Sequence, residues 1–490
     1  MSNLTKIESI VVLMLENRSF DNVLGWLYDP ENAPPFQSPP SGQTFDGLSG
    51  KNLSNPDPLT GTRIPAAKGR VMTEPSPDPG EEFEHVVRQL RGDTMEGFVE
   101  DYIKVLQTHS GKTPNRNDYQ VIMNAFTPDS LPVLSGLAHH YAVCDRWFSS
   151  VPSQTLCNRC FSVASTSRGF VNNSPEPKWL LTDSPTIFNR LEEAGLAWHI
   201  YYDELDIMPL TRLVQPTLWQ MPHSRFKKMG DFHKDAASGE LPPFSLIEPR
   251  FFLDHNDAHP PLDKKFLVTS SVSAAEILVN EIYQSIRNGK AWEKILLVIT
   301  FDEHGGCYDH VLPPATVPPD AECRSGEEGF CFDRLGVRVP TILVSPWIPQ
   351  GQVVHTEFCH TSIIKTVTQK WDLQSLTRRD AAANGLGQVL ALETPRTDRP
   401  EIRPLPYAPH PEHRKAPLLH LQRDILGLIA CYETAQKLDE QLPLKEKLTE
   451  LSRLMKAEFD IHKLKTVGEA IDFMTTKLQP ETGWFGDKDV

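Results

Sequence analysis

Cysteine, long apolar stretches, basic charge and repetition are all scarce in this chain, and each scarcity excludes a class of protein. Eight cysteines in 490 residues are too few for a disulfide scaffold. Cys157 and Cys160 form a C-x-x-C without a second pair to complete a zinc or redox motif, so two reduced thiols in or near the core are the plainer reading. No stretch approaches the eighteen apolar residues that a membrane span needs; Ile10 to Leu15 is cut short by Glu16. The N-terminus also lacks the basic, apolar and small-residue sequence of a cleavable signal. The expectation is a soluble chain, cytoplasmic or exported by a route that leaves no cleavable signal. With 49 Lys and Arg against 64 Asp and Glu, net charge −15, sequence-independent binding of nucleic acid is disfavoured, because it requires clustered cations. No repeat of fixed period and no low-complexity tract is present.

What is present is a globular composition, 39% hydrophobic and 9% aromatic, sufficient for a sizeable core. Proline, at 42 residues, is roughly twice as frequent as usual and signals long ordered loops. Ile7 to Leu15 and Lys294 to Phe301 are continuous apolar, β-branched runs of the kind buried in parallel sheets. Ala142 to Ser149, Ala197 to Tyr202 and Val339 to Ser345 read as further strands. Helical patterning covers Glu81 to Gln107, Leu131 to Tyr141, Thr186 to Ala194 and Ser273 to Asn288. Between them runs a long loop, 29–79, rich in Pro, Gly, Ser and Asn, of a length typical of binding loops or covers. The alternation predicts an α/β fold with a mostly parallel sheet between helices. Residues 1–393 form the expected catalytic domain, 394–417 a Pro-rich linker, and 418–490 a helical C-terminal extension. In the extension, Leu421, Ile425, Leu428 and Ile429, then Leu448, Leu451, Leu454 and Met455, mark an amphipathic face better suited to packing than to a membrane.

Catalytic groups of such folds gather at the carboxyl ends of strands. Four ends qualify: Glu16 to Asp21, Pro152 to Arg159, Asp302 to His310, and Pro346-Trp347. A buried strand that runs into Asp-Glu-His-Gly-Gly places adjacent ionisable groups where desolvation is costly unless they meet a cation or partner charge. Glu16, Asp302 and Glu303, with the amide oxygen of Asn17, make an oxygen-rich set suited to a divalent cation.

Several motifs recur in one order: E-N-R-S-F-D from Glu16, P-S-Q-T-L-C-N-R from Pro152, N-D-A-H-P-P from Asn256, and D-E-H-G-G-C-Y-D-H-V from Asp302. They are followed by V-R-V-P-T-I-L-V-S-P-W, H-T-S-I-I-K-T-V from His360 and L-T-R-R-D-A from Leu376. Together they resemble the bacterial phospholipase C and acid phosphatase family, which includes the plant non-specific phospholipases C. The resemblance implies an alkaline-phosphatase-like fold and a phosphoesterase with a hydroxyl nucleophile. By motif position, Glu16 with Asn17 and Asp302 with Glu303 are the two metal-binding pairs, and Thr155 is both nucleophile and metal ligand, with Ser153 as the alternative. His85 and His259 match histidines facing the phosphoryl group; His199 is a weaker match. His304 and His310 lie beside the second metal pair, where one of them either orients its neighbours or touches substrate, and His360 packs or bonds near the site. Cys157 departs from the proline common at its position. One or more divalent metal ions are implied, Ca, Mg, Mn or Zn. The expected reaction is phospholipase C cleavage of a glycerophospholipid such as phosphatidylcholine to diacylglycerol and phosphorylated head group, through a phosphothreonine. The alternative is an acid phosphatase acting on phosphomonoesters. A phospholipid substrate leaves room for transient contact with a membrane or micelle surface. Sulfatases are disfavoured because their modified Cys or Ser motif is absent. A non-catalytic binding module is disfavoured because the nucleophile and both acidic pairs are present.

Overall fold

The computed structural model describes residues 3–174, 176–262, 271–320, 326–408, 413–435, 450 and 463–477. Its centre is an eight-stranded sheet. In chain order the strands are β1 (Ser9–Leu15), β2 (Ala142–Cys144), β3 (Trp198–Tyr202), β4 (Phe226–Lys228), β5 (Phe244–Ile247), β6 (Ile295–Phe301), β7 (Thr341–Val344) and β8 (Gln352–Val354). They lie side by side as β8-β2-β7-β6-β1-β5-β3-β4. Every residue of β1 and β6 is buried. Side chains alternate between the faces of a strand, so both faces of the sheet centre are covered, which is why these strands read as unbroken apolar runs. The α/β expectation holds, with a mostly parallel sheet.

β7 runs antiparallel to both β6 and β2. Its carboxyl end therefore emerges at the opposite edge from that of β6, and Pro346-Trp347 is not at the catalytic edge. There the Trp347 indole donates to the Glu293 carbonyl, just ahead of β6, at 2.7 Å. An apolar run such as V-P-T-I-L-V-S does not encode its direction.

The helices used below are α1 (Phe20–Leu24), α2 (Phe83–Leu90), α3 (Phe98–Ser110), α4 (Thr155–Ala164), α5 (Ser271–Asn288), α6 (Thr361–Trp371), α7 (His420–Ala435) and α8 (Val467–Lys477). The single helical segment expected over Glu81 to Gln107 is two helices, because Arg91, Gly92, Asp93 and Met95 between them take left-handed backbone angles. Conversely, the turn expected over Pro152 to Arg159 is helical from Thr155 onward. Residues 394–408 run as a strap without regular structure along α5, where Tyr283 donates to the Pro400 carbonyl at 2.8 Å and Gln284 to the Ile402 carbonyl at 3.3 Å. Leu421, Ile425, Leu428 and Ile429 of α7 share an apolar cluster with Leu156, Cys160 and Phe161 of α4 and with Val467 and Met474 of α8. Leu448, Leu451, Leu454 and Met455 lie outside the described residues. Cys157 and Cys160 are free and buried, and Cys331 is disulfide-bonded. Among the described residues no helix is long and apolar enough to cross a membrane.

Candidate active site

β1 and β6 pair in register from Ser9 with Ile295 to Leu15 with Phe301, so both strands end at the same level. Glu16-Asn17 and Asp302-Glu303 thus leave the sheet as neighbours. The Asn17 amide donates to Asp302 Oδ1 at 3.0 Å, the Arg18 amide to the Glu303 carbonyl at 3.1 Å, and the Gly305 amide to Glu303 Oε2 at 2.8 Å. Gly305 has φ +58°, and a Cβ there would lie 2.1 Å from the Asn17 carbonyl oxygen, so only glycine lets the two loops come this close.

α4 brings in the hydroxyl. Thr155, the first residue of the helix, donates from Oγ1 to Glu16 Oε2 at 3.0 Å and lies 3.4 Å from Asn17 Oδ1. The positive end of the helix favours negative charge on that oxygen. One turn on, Arg159 donates to Glu16 Oε1 at 2.6 Å and to the Met14 carbonyl at 2.9 Å, which locks α4 to the end of β1. Ser153, the alternative nucleophile, donates to the Val171 carbonyl instead.

The loop before α2 supplies two further acids, Asp78 and Glu81. Glu81 accepts from the Asn17 side-chain amide, which also lies 3.0 Å from His259 Nε2. Asp78 Oδ2 is 3.6 Å from the same nitrogen. A cavity of about 270 Å³ opens beside them, walled by Asp78, Gly80, Glu81, His85, Leu262 and His420 among others.

Burial raises the pKa of Glu16, Asp78, Glu81, Asp302 and Glu303 above the usual carboxylate range, and repulsion between neighbouring carboxylates adds to it for Glu16, Asp78, Glu81 and Glu303; Arg159 opposes the shift at Glu16 and Asp302, and Arg18 at Asp78. Asp302 Oδ2, Glu303 Oε1, Asp78 Oδ1 and Glu81 Oε1 are buried without any hydrogen-bond partner among the described residues. Buried carboxylate oxygens left so are costly unless a cation meets them. The donor set fits a divalent cation.

A family model for the phosphoesterase family matches residues 7–374. Among curated proteins, non-specific phospholipase C6 of Arabidopsis thaliana is 37% identical over 455 residues, covering 86% of this chain and 80% of its own. Phospholipase C B of Mycobacterium tuberculosis is 27% identical, covering 83% of each. The chain belongs to the phosphoesterase family. Among solved structures, the phosphoesterase is similar to a protein of the alkaline phosphatase superfamily from Vibrio parahaemolyticus, at 11% identity over 51% of this chain and 63% of that one, with a TM-score of 0.32. The phosphoesterase is a phosphoric ester hydrolase.

Of the residues anticipated for its site, Glu16, Asn17, Thr155, Asp302, Glu303 and His259 come together. His85 hydrogen-bonds to none of them but lines the cavity beside them. It sits half-buried in the cavity wall, with Nδ1 2.9 Å from Asp101, whose hydrogen bond and charge outweigh burial and raise its pKa. His199 is elsewhere: it pairs with Ser245, which pairs with Val11, four residues short of the end of β1 and roughly 13 Å down the sheet. Its ring faces Tyr201 at 3.1 Å, and burial pushes it down to about 4. The orienting histidines are close by. His304 bonds Gln89 at 2.7 Å, and His360 donates to the Asp302 carbonyl at 2.5 Å. His310 lies 2.6 Å from Asp21, inside a network closed by Arg338. Asp78, Glu81 and Arg159 were missed as functional residues. Two of them come from the long loop and its exit, P-D-P-G-E-E, where no strand or helix period marks which acid turns inward; Gly80, against which His85 packs, is the available signal.

Proposed function

We propose that this phosphoesterase is a phospholipase C that cleaves glycerophospholipids such as phosphatidylcholine through a phosphothreonine at Thr155. The observation that carries the proposal is the Thr155 hydroxyl, buried at the start of α4 and hydrogen-bonded to Glu16 within a cluster of carboxylates. The kinship with phospholipases C supports the lipid substrate. Thr155 gives its proton to Glu16 Oε2, 3.0 Å away, and Oγ1 attacks phosphorus. The bond from phosphorus to the glycerol oxygen breaks, its electron pair stays with that oxygen, and diacylglycerol leaves once the oxygen is protonated. His85, which lines the cavity and whose pKa Asp101 raises against the effect of burial, is the proton source. Water then gives a proton to the His85 imidazole left neutral by the first step and attacks phosphorus in line, the bond to Oγ1 breaks, Thr155 takes its proton back from Glu16, and the phosphorylated head group departs. A divalent cation bound by Glu16, Asn17, Asp302 and Glu303, with Thr155 beside them, would supply Lewis acidity and the missing counter-charge. This all-oxygen set suits Ca²⁺, Mg²⁺ or Mn²⁺ better than zinc. His259 does not donate a proton here. Its Nδ1 is committed to the Pro260 carbonyl at 2.8 Å, and burial pushes its pKa down to about 4, so its Nε2 is a bare acceptor.

The test is a comparison of phosphatidylcholine in mixed micelles with p-nitrophenyl phosphate. The expected result is a higher kcat/KM on the phospholipid, with diacylglycerol and phosphocholine as products. Turnover of the monoester alone would instead identify an acid phosphatase.

A further inference from the structure

Asp78, Glu81 and His259 form a second group that the cation set above does not use. One donor atom from each lies within 4.8 Å of the other two. His259 is fully buried, Glu81 is 3% exposed and Asp78 7%. Asp78 Oδ1 and Glu81 Oε1 find no partner among the described residues. The imidazole is held in a ligand's tautomer: with Nδ1–H on the Pro260 carbonyl, the Nε2 lone pair points at Asp78 and the Asn17 amide. Pinning the outer ring nitrogen on a backbone carbonyl is the usual support of a metal-ligating histidine. The cavity reaches the group past Asp78, Gly80 and Glu81, which gives an ion and a substrate a common approach.

The contrast with the other buried group of two aspartates and a histidine, Asp21, Asp309 and His310, is instructive. There the Arg338 guanidinium already donates to Asp21 at 3.0 Å and to Asp309 at 2.9 Å, and no further cation is called for. No guanidinium or ammonium hydrogen-bonds to Asp78 or Glu81 among the described residues. A phosphodiester carries negative charge and in the cavity would face these two carboxylates, an approach that like charges oppose.

We propose that Asp78, Glu81 and His259 bind a second divalent cation beside the first, and that it neutralises the cavity side of the site for the anionic phosphoryl group. This rests on reading the strand-end carboxylates as the first cation site. Asn17 joins the two, through Oδ1 towards Thr155 and Nδ2 towards Glu81 and His259. The sites differ in preference. Oxygen donors alone favour a hard ion in the first, whereas two carboxylates with an imidazole favour Zn²⁺ or Mn²⁺ in the second.

The test uses the full chain, stripped with a chelator, reloaded with Mn²⁺, the ion that suits both sites, and freed of excess ion, with bound manganese counted by mass spectrometry and the manganese environment read by X-ray absorption. The expected result is two equivalents per chain, falling to one in Asp78→Asn/Glu81→Gln and in His259→Gln, and an imidazole in the average manganese shell of the wild type. The absorption measurement needs no variant, so it decides the matter even where a substitution prevents folding. A single equivalent in the wild type, or a shell of oxygen alone, overturns the proposal. Thr155→Ala separates the two readings: if it still turns over phosphoester the phosphothreonine mechanism fails, while the manganese count stands or falls independently.

Discussion

Stripping divalent cations will make the stability of this protein fall with rising pH, relative to the cation-loaded form. Glu16, Asp78, Glu81, Asp302 and Glu303 are held above the ordinary carboxylate range first by burial. Without a cation the native state keeps protons that the unfolded chain has released above about pH 4.5. It therefore binds more protons than the unfolded chain between that pH and the raised folded values, and stability declines across the window. Each retained proton contributes about 1.4 kcal/mol per pH unit, so two of them widen the gap between stripped and loaded protein by about 2.7 kcal/mol per unit. Each further pH unit inside that window adds the same amount, a sizeable share of the whole stability of many proteins. The buried histidines His304 and His360, pushed down to about 3 and about 4, act in the opposite direction but equally in both forms, and so cancel from the difference. Urea unfolding at pH 6, 7 and 8, in chelator and in excess Ca²⁺ or Mn²⁺, measures it. If the difference stays flat or narrows as pH rises, the cluster is not an uncompensated acidic site.

Three further outcomes test the architecture. Arg338 is fully buried and bonds Asp21, Asp309 and the Asp145 carbonyl, so Arg338→Met should cost about 3–5 kcal/mol in urea unfolding by leaving two carboxylates uncompensated, and a loss below 1 kcal/mol would show that the network does not hold the strand-end loops together. His199→Gln should leave kcat within about twofold of the wild type, because that side chain lies down the sheet from the reacting groups; a large drop in kcat with KM unchanged would place it in the chemistry after all. Gly305→Ala adds a Cβ into the Asn17 carbonyl at a left-handed position, which should cost at least ~1–2 kcal/mol and weaken cation binding in calorimetry; unchanged affinity would show that the two loops need not touch.

The parts of this molecule that were legible in sequence share one property: a local pattern with a local cause. β1 and β6 are apolar throughout because both their faces are covered, and the acids that follow stand out against that background. Thr155 was recognised through its motif, and its place at the head of a helix was not foreseen because P-S-Q-T carries no conventional N-cap; Gln154 holds that position without a side-chain cap bond. The direction of β7 was hidden because parallel and antiparallel buried strands have the same composition. His199 and His85 carry no mark of where the tertiary fold puts them: one belongs to a strand whose register with β5 sets it below the catalytic edge, the other to a helix face turned towards Asp101. Asp78 and Glu81 lie at the end of a long Pro-rich loop whose path is decided by contacts far away in sequence, such as the bond from Arg18 to the Glu74 carbonyl at 2.9 Å.

The proposed mechanism requires that Thr155 become covalently phosphorylated during turnover. Acid quenching of the enzyme during steady-state hydrolysis of phosphatidylcholine, followed by proteolysis and peptide mass spectrometry, tests it directly. The expected result is phosphate on Thr155, none in Thr155→Ala, and a fall in kcat of at least about 10³-fold in that variant. Phosphate on Ser153, or undiminished turnover by Thr155→Ala, would contradict it.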